Sequence, residues 1–157
     1  MLELDIEKLE QKGFVEFDDK LQCMMGTTHV KNLPNGDMVG VCSEVTNTGK
    51  KFLTAYRIRG SNIHMRELIG RVPTNGINYQ HSFGLSEDYV AIFEHPINVN
   101  MFNEMILGYD MLRSMIRDGT DTTKIHLMST KDGSFKTHDS RIYFQMIHTG
   151  NSFVKDG

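Results

Sequence analysis

Short β-prone runs separated by turn sequences recur along the chain, and this pattern limits the fold more than any other feature. The runs span 38–45, 52–59, 62–72, 89–93, 124–128 and 141–147. Turn signals separate them, among them Asn75-Gly76, Asp118-Gly119 and Asp132-Gly133. Such spacing is typical of antiparallel strands joined by hairpins. The sequence therefore predicts an all-β fold, and the first two runs predict a hairpin closed by the turn at 48–50.

One Met- and Phe-rich segment, residues 101–117, departs from the strand pattern. Its apolar side chains recur at helical spacing on roughly one face, at Phe102, Met105, Ile106, Tyr109, Leu112 and Ile116. The segment predicts a helix, which Gly108 weakens. Apolar helical stripes usually face a core, so this face is expected to pack against the outside of the sheet. The alternative is an exposed patch that faces a membrane or a tunnel entrance.

Composition excludes several classes of function. The 17 Lys and Arg residues are balanced by 20 Asp and Glu residues, the net charge is −3, and no block of like charge is present. We therefore expect no nucleic-acid partner. Cys23 and Cys42 are too few to staple 157 residues, and no N-x-S/T sequence occurs, so we expect free thiols in a reducing, cytoplasmic compartment. No stretch predicts a secretion signal or a membrane span.

The seven histidines are enough for a metal site, although none forms an H-x-x-x-H or H-E-x-x-H pair. The run Y-Q-H-S-F-G-L-S-E-D-Y-V-A-I-F-E-H-P at 79–96 closely resembles the H-S-F-G-[LIM]-[ST]-E-[ND]-Y…E-x-P signature of the carotenoid cleavage oxygenases. This motif is long and specific. Members of that family cleave carotenoids or related apolar polyenes with O2. They use iron(II) held by four histidines on the axis of a seven-bladed β-propeller.

Further stretches resemble the family's other motifs, in the same order. T-T-H-V-K at 27–31 resembles T-A-H-P-[HK], and H-T-G-N-S-F-V-K-D-G at 148–157 resembles H-x-x-N-[AS]-[YFW]-E-E-[DN]-G. The opening L-D-I-E-K-L-E-Q-K-G at 4–13 resembles L-D-x-x-T-L-E-x-x-G. Val30, Val154 and Lys155 depart from these motifs, but none of them replaces a ligand.

The resemblance implies that His29, His81 and His148 are ligands of Fe(2+). They are separated by 52 and 67 residues, which suits a propeller whose blades of about 40–45 residues each send an inner strand to the axis. Imidazole alone would suit Fe, Zn, Cu or Ni, so the choice of iron rests on the resemblance. The remaining histidines have no counterpart among the family's ligands and are expected to be structural or exposed: His64, His95, His126 and His138.

The resemblance also implies the fold, part of a seven-bladed β-propeller with a helical excursion near residues 101–117. No linker divides the sequence, so residues 1–157 are expected to form one partial propeller domain. At about 40–45 residues a blade, the chain supplies about three to four blades and no counterpart of the fourth histidine. We therefore expect an internal fragment of a larger oxygenase.

The implied function is a non-haem iron(II)-dependent dioxygenase that cleaves a double bond of a carotenoid or apocarotenoid to give carbonyl products. The implied partners are an apolar polyene and O2, with Phe83 and Phe93 as candidate walls of the substrate channel. Residues 101–117 would bring a cytoplasmic protein into peripheral contact with a membrane. Two alternatives stay open: retinoid isomerisation at the same site, and an inactive remnant that acts at most as an apolar-ligand or partner-binding module.

Overall fold

A computed structural model describes residues 2–155, and its regular structure is almost entirely antiparallel β-sheet. The described strands are β1 Leu2–Asp5, β2 Glu10–Phe14, β3 Cys23–Gly26, β4 Lys31–Asn32, β5 Met38–Val45, β6 Lys51–Arg59, β7 Asn62–Thr74, β8 Gly84–Leu85, β9 Tyr89–Glu94, β10 Ile97–Val99, β11 Met115–Arg117, β12 Lys124–Ser129 and β13 Phe135–Asp139. The helices are α1 Met101–Met105 and α2 Met111–Ser114. The predicted all-β class is confirmed.

Two larger sheets dominate the structure. The first has the strand order β3-β5-β6-β7 with β4 also paired to β5, and the second has the order β13-β12-β9-β8. Two small hairpins, β1-β2 and β10-β11, stand apart from them. Four-stranded antiparallel sheets are the unit of a β-propeller, and the described sheets form part of a ring rather than a closed one.

The predicted hairpin of the first sheet is confirmed. Strands β5 and β6 pair in unbroken register from Met38 opposite Ile58 to Val45 opposite Lys51. The turn between them places Gly49 at a φ of +77°, a left-handed conformation that glycine adopts without the steric cost of a side chain. The turn chemistry therefore sets the register of the predicted hairpin.

An apolar core lies between the two larger sheets. The first sheet contributes Val39, Val41, Leu53, Ala55 and Val72. The second sheet contributes Val90, Ile92 and Met128, and Phe83 lies directly before its strand β8. A second cluster, Cys42, Tyr56 and Ile58, lies on the other face of the first sheet under partly buried residues such as Phe17 and Leu21. Strands β5 and β6 are therefore buried on both faces, which is why few of their residues are polar and exposed.

One predicted strand is wrong. Residues 141–147 form no strand, because Arg141 takes a left-handed φ of +61° and the Phe144 backbone bonds to a side chain. The Phe144 N–H donates to Thr123 Oγ1 over 3.1 Å, and the same hydroxyl donates to the Phe144 carbonyl over 2.6 Å. The second sheet instead ends at β13, a polar edge strand exposed along its whole length that the apolar pattern could not reveal.

The predicted helical excursion near residues 101–117 is present as the two short helices α1 and α2, but the expectation of one continuous helix is wrong. Gly108 has a left-handed φ of +66°, which interrupts the helix between α1 and α2. Asp110 then accepts a hydrogen bond from the Arg113 N–H and starts α2 as an N-cap. Residues 115–117 leave the helix to pair with β10. No apolar side chain of α1 or α2 is buried, so the expectation that this stripe packs against the sheet is wrong as well.

The expectation of free thiols is wrong, because Cys23 and Cys42 form a disulfide. The number of cysteines does not show that β3 pairs with β5, and this pairing brings the Cα atoms of Cys23 and Cys42 to 5.6 Å from each other. Disulfides persist in oxidising compartments and are rare in the cytosol. Free thiols therefore no longer support a reducing compartment for this protein.

Removing the disulfide should destabilise the fold. The bond joins residues 19 positions apart, and closing a loop of this size is worth about 3 kcal/mol through the entropy of the unfolded chain. We expect dithiothreitol to lower the free energy of unfolding in urea by about 3 kcal/mol. The C23A/C42A double variant should show no response to the reductant. Two titratable thiols in the denatured, unreduced chain would contradict the assignment.

A buried carboxylate fastens three strands of the first sheet. Glu44 on β5 is 2% exposed and accepts hydrogen bonds from Arg71 Nε and Nη2 over 2.7 and 2.8 Å. The Thr54 hydroxyl donates to the same carboxylate over 2.7 Å. The Arg71 hydrogen bonds, helped by Thr54 and opposed by burial, lower the pKa of Glu44 from its ordinary value. The ionised form is thus the one that the fold favours.

This lowered pKa sets an acid limit on stability. A carboxyl group whose pKa falls on folding stabilises the fold above its unfolded pKa, here about 4.5, and that contribution disappears as the pH falls through the folded pKa. Chemical denaturation of wild type and E44Q should therefore show a stability difference that is constant above pH 4.5 and shrinks below it. The exposed control E10Q should stay within about 0.5 kcal/mol of wild type. A difference between wild type and E44Q that grows on acidification would contradict this account.

Candidate metal centre

The structure brings His29, His81 and His148 together from three separate segments. Their ring centroids are 4.8, 4.8 and 4.9 Å apart in pairs, and one nitrogen of each lies within 4.8 Å of the others. Within residues 2–155, no other three His, Cys, Asp or Glu side chains converge in this way. The final Asp156 and Gly157 of the third motif lie outside the described residues. The convergence is observed, whereas metal binding by these histidines stays a prediction.

One pair of donor atoms has the spacing that a metal would require. Nε2 of His29 and Nε2 of His81 are 3.0 Å apart. Two nitrogens bound at right angles to a first-row metal, each at about 2.1 Å, would be about 3.0 Å apart. Three imidazoles suit Fe, Zn, Cu or Ni, and they leave further coordination positions for other ligands. The residues present therefore fit a divalent transition metal.

His81 is oriented by a neighbour on its own segment. Tyr79 Oη lies 2.8 Å from Nδ1 of His81. If Nε2 is to bind a metal through its lone pair, Nδ1 carries the proton and donates it to the tyrosine oxygen. Burial and the nearby rings of His29 and His148 lower the pKa of His81. Each effect favours the neutral imidazole that metal binding needs.

Thr27 joins the segments that carry His29 and His81. Its backbone N–H donates to the Val41 carbonyl over 2.8 Å, which extends the pairing of β3 with β5. Its hydroxyl donates to the His81 carbonyl over 2.7 Å and accepts from the His29 N–H over 3.1 Å. Thr27 is itself buried, so these bonds are shielded from water. One residue thus sets the separation of two histidines.

The segment of His81 is anchored in the apolar core. Phe83, two residues further on, is fully buried between the two sheets. The expectation that Phe83 lines a substrate channel is therefore wrong, because its ring is occupied in the core. Gly84 follows, and a Cβ there would lie 2.9 Å from Ser152 Oγ and 3.0 Å from Ala91 Cβ. Glycine at this position lets the segment after His148 lie against the second sheet.

The segment of His148 has no strand of its own and is held by side chains. Fully buried Thr123 bonds to both backbone groups of Phe144, and its N–H donates to the Ile142 carbonyl over 3.1 Å. His95 Nδ1 donates to the same Phe144 carbonyl over 3.2 Å. Burial lowers the pKa of His95, which keeps this ring neutral in its structural role.

The remaining histidines lie away from the cluster, as the sequence predicts. His126 is 2% exposed and has both ring nitrogens occupied, by Glu94 Oε2 at 3.0 Å and Thr137 Oγ1 at 2.9 Å. His64 and His138 are exposed on β7 and β13. Among the partners of the site, Tyr79 could have been found from sequence, because side chains two residues apart in an extended chain share a face. The role of Thr123 carries no such local signal.

Comparison with known proteins identifies the family. The family model for retinal pigment epithelial membrane protein, RPE65, matches residues 1–157. The chain belongs to this RPE65 and carotenoid oxygenase family. The carotenoid isomerooxygenase of Drosophila melanogaster is 25% identical over 139 residues, which are 83% of this chain and 22% of that protein.

Solved structures agree on the fold. A variant of the Synechocystis enzyme ACO, apocarotenoid oxygenase, matches 99% of this chain and 33% of its own with a TM-score of 0.71 and 14% identity. The lignostilbene dioxygenase of Pseudomonas brassicacearum matches 88% of this chain and 28% of its own with a TM-score of 0.64 and 18% identity. The chain thus spans 22% to 33% of the length of these three proteins.

Proposed function

We propose that this chain supplies three of the histidines that bind iron(II) in a dioxygenase acting on a carotenoid or apocarotenoid. The convergence of His29, His81 and His148 carries the proposal. Family membership supports it, as do the names of the Drosophila and Synechocystis proteins, a carotenoid isomerooxygenase and an apocarotenoid oxygenase. The products would be two carbonyl compounds from cleavage of one double bond.

Iron(II) bound here would supply the reactivity toward O2 that organic side chains lack. The chain's own part is to hold three neutral imidazoles at fixed spacing, with the His81 Nδ1 proton directed to Tyr79. The Thr27 hydroxyl keeps the His29 and His81 segments together. Because three imidazoles carry no charge, they leave the metal's +2 charge uncompensated and further coordination positions free. The apolar substrate would be placed by channel shape rather than by charge.

Retinoid isomerisation is the second candidate, and the name of the Drosophila relative favours it by joining the two reactions. The same histidines would serve either reaction. Separating them needs product analysis: two shorter carbonyl compounds indicate cleavage, and an isomer of unchanged mass indicates isomerisation. Binding of the polyene without any product would favour the alternative of an inactive remnant that only binds an apolar ligand.

Iron stoichiometry provides the direct test. Purified anaerobically and loaded with iron(II), the 157-residue chain should hold close to one iron per folded chain, measured by elemental analysis alongside circular dichroism. H29A, H81A and H148A should each lose most of the iron, because each removes one of three ligands. H138A removes an exposed histidine outside the cluster and should retain it. A folded wild-type chain without iron, or full iron in any of the three cluster variants, would refute the assignment.

Peripheral membrane contact is part of the proposal. Seven apolar side chains in and beside the two helices are exposed, and Leu112 is 74% exposed. They are Phe102, Met105, Ile106, Leu107, Tyr109, Leu112 and Ile116. We call these residues the apolar patch. Arg113 and Arg117 lie among these residues, but each is paired with an aspartate, Asp110 at 3.5 Å and Asp121 at 2.9 Å, so burial of the apolar side chains would supply the affinity for a bilayer interface. Among residues 2–155 no helix has the length and apolar character to cross a bilayer.

Vesicle flotation can test this contact. The chain should float with vesicles of phosphatidylcholine and phosphatidylserine, and I106S/L112S should weaken flotation by removing two of the most exposed apolar side chains of the patch. The matched control I6S/L9S changes two apolar residues that are 83% and 88% exposed elsewhere, and it should float like wild type. Equal losses in both double variants would mean that exposure alone, not this patch, drives binding.

A further inference from the structure

We propose that the Thr149 hydroxyl is a positioning group that ties together the three histidine segments, an inference that rests on the proposed metal site. Thr149 directly follows His148. Its Oγ1 lies 2.6 Å from Lys31 Nζ, 2.8 Å from the Phe83 carbonyl oxygen and 3.3 Å from Ser82 Oγ. Lys31 lies two residues after His29, while Ser82 and Phe83 follow His81. One oxygen atom therefore contacts all three segments.

The direction of each hydrogen bond follows from chemistry. A threonine hydroxyl has one proton to donate and two lone pairs to accept with. The Phe83 carbonyl can only accept, so it takes the proton, and the Lys31 ammonium can only donate. Ser82 must then donate to the second lone pair. The full capacity of the Thr149 hydroxyl is used, and each of its bonds leads to a residue within two positions of a histidine.

Within residues 2–155, no other side-chain hydroxyl contacts all three histidine segments. Thr27 joins only the His29 and His81 segments. The His148 segment has no strand pairing, so its approach to the other two histidines depends on contacts such as those of Thr149. Valine has the shape of threonine without the hydroxyl. In T149V the Phe83 carbonyl, on a fully buried residue, and the Lys31 ammonium would both lose this partner.

Cobalt(II) absorption provides the first readout, measured on the full 157-residue chain. T149V should bind cobalt(II) about 10- to 100-fold more weakly than wild type, the range typical for loss of a group that orients metal ligands. T149S restores the hydroxyl and should recover most of the affinity. T48V makes the same replacement in an exposed turn and should bind like wild type. A loss in T149V that serine does not recover would overturn the inference.

Histidine ring signals in proton–nitrogen NMR spectra of the metal-free chain provide a second readout, independent of metal binding. T149V should shift the signals of His148 and of at least one other cluster histidine, and T149S should return them. If wild type binds no cobalt(II), the proposed metal function fails, and the ring signals alone decide on Thr149. Unmoved ring signals in T149V overturn the inference in either case.

A second variant covers the outcome in which T149V does not fold. K31M removes only the bond to the His29 segment and leaves the Thr149 bond to Phe83 in place. K31M should shift the His29 ring signal more than the His81 ring signal. It should also weaken cobalt(II) binding by less than the roughly 10- to 100-fold expected for T149V, which removes the whole hydroxyl. Ring signals and cobalt(II) affinity unchanged in K31M would overturn the inference.

Discussion

Packing of the two larger sheets against each other is the constraint on which the site depends. Strands β5 and β6 are buried on both faces, and Phe83 fills the space between the sheets two residues after His81. A fully buried phenylalanine makes many contacts that must be broken before it can move. The position of His81 is therefore fixed by the apolar core rather than by a local motif, and the other two histidines are placed relative to it.

Threonine hydroxyls fix the irregular segments that connect the core to the site. Irregular segments cannot satisfy their backbone groups by pairing with a strand, and buried backbone groups without partners are costly. Thr27 and Thr123 supply those partners, the first for the His81 carbonyl and the second for both backbone groups of Phe144. Each threonine both satisfies the backbone and fixes a distance. The hydrogen bonds that satisfy buried backbone groups therefore also set the positions of the histidine segments.

Sequence predicted the strands well where apolar runs met clear turns, as in β5 and β6, because such runs are buried in this fold. It failed where tertiary contacts override local preference. The polar strand β13 exists because β12 offers it a partner, and residues 141–147 lose their strand because Thr123 takes their hydrogen bonds. The disulfide needed the pairing of β3 with β5, which two cysteines in a sequence do not reveal.

The site shows the same division. Motifs identified three histidines that the fold brings together from segments separated by 52 and 67 residues, although no local spacing linked them. Motifs did not identify the groups that orient these rings. Only Tyr79 could have been predicted, because it lies two residues before His81 in an extended segment. The reason is that a ligand's chemistry restricts it to few residue types, whereas many side chains can donate or accept a hydrogen bond.

The three histidines are not held equally. His29 follows β3 and His81 precedes β8, so each lies beside a strand of a cooperatively paired sheet. His148 lies on a segment without strands, fixed by single hydrogen bonds from a few side chains. Regions with few cooperative backbone bonds open at lower free energy than paired strands. The His148 arm is therefore the one whose position depends most on individual polar contacts, and a metal bound to all three rings would stabilise that arm more than the other two.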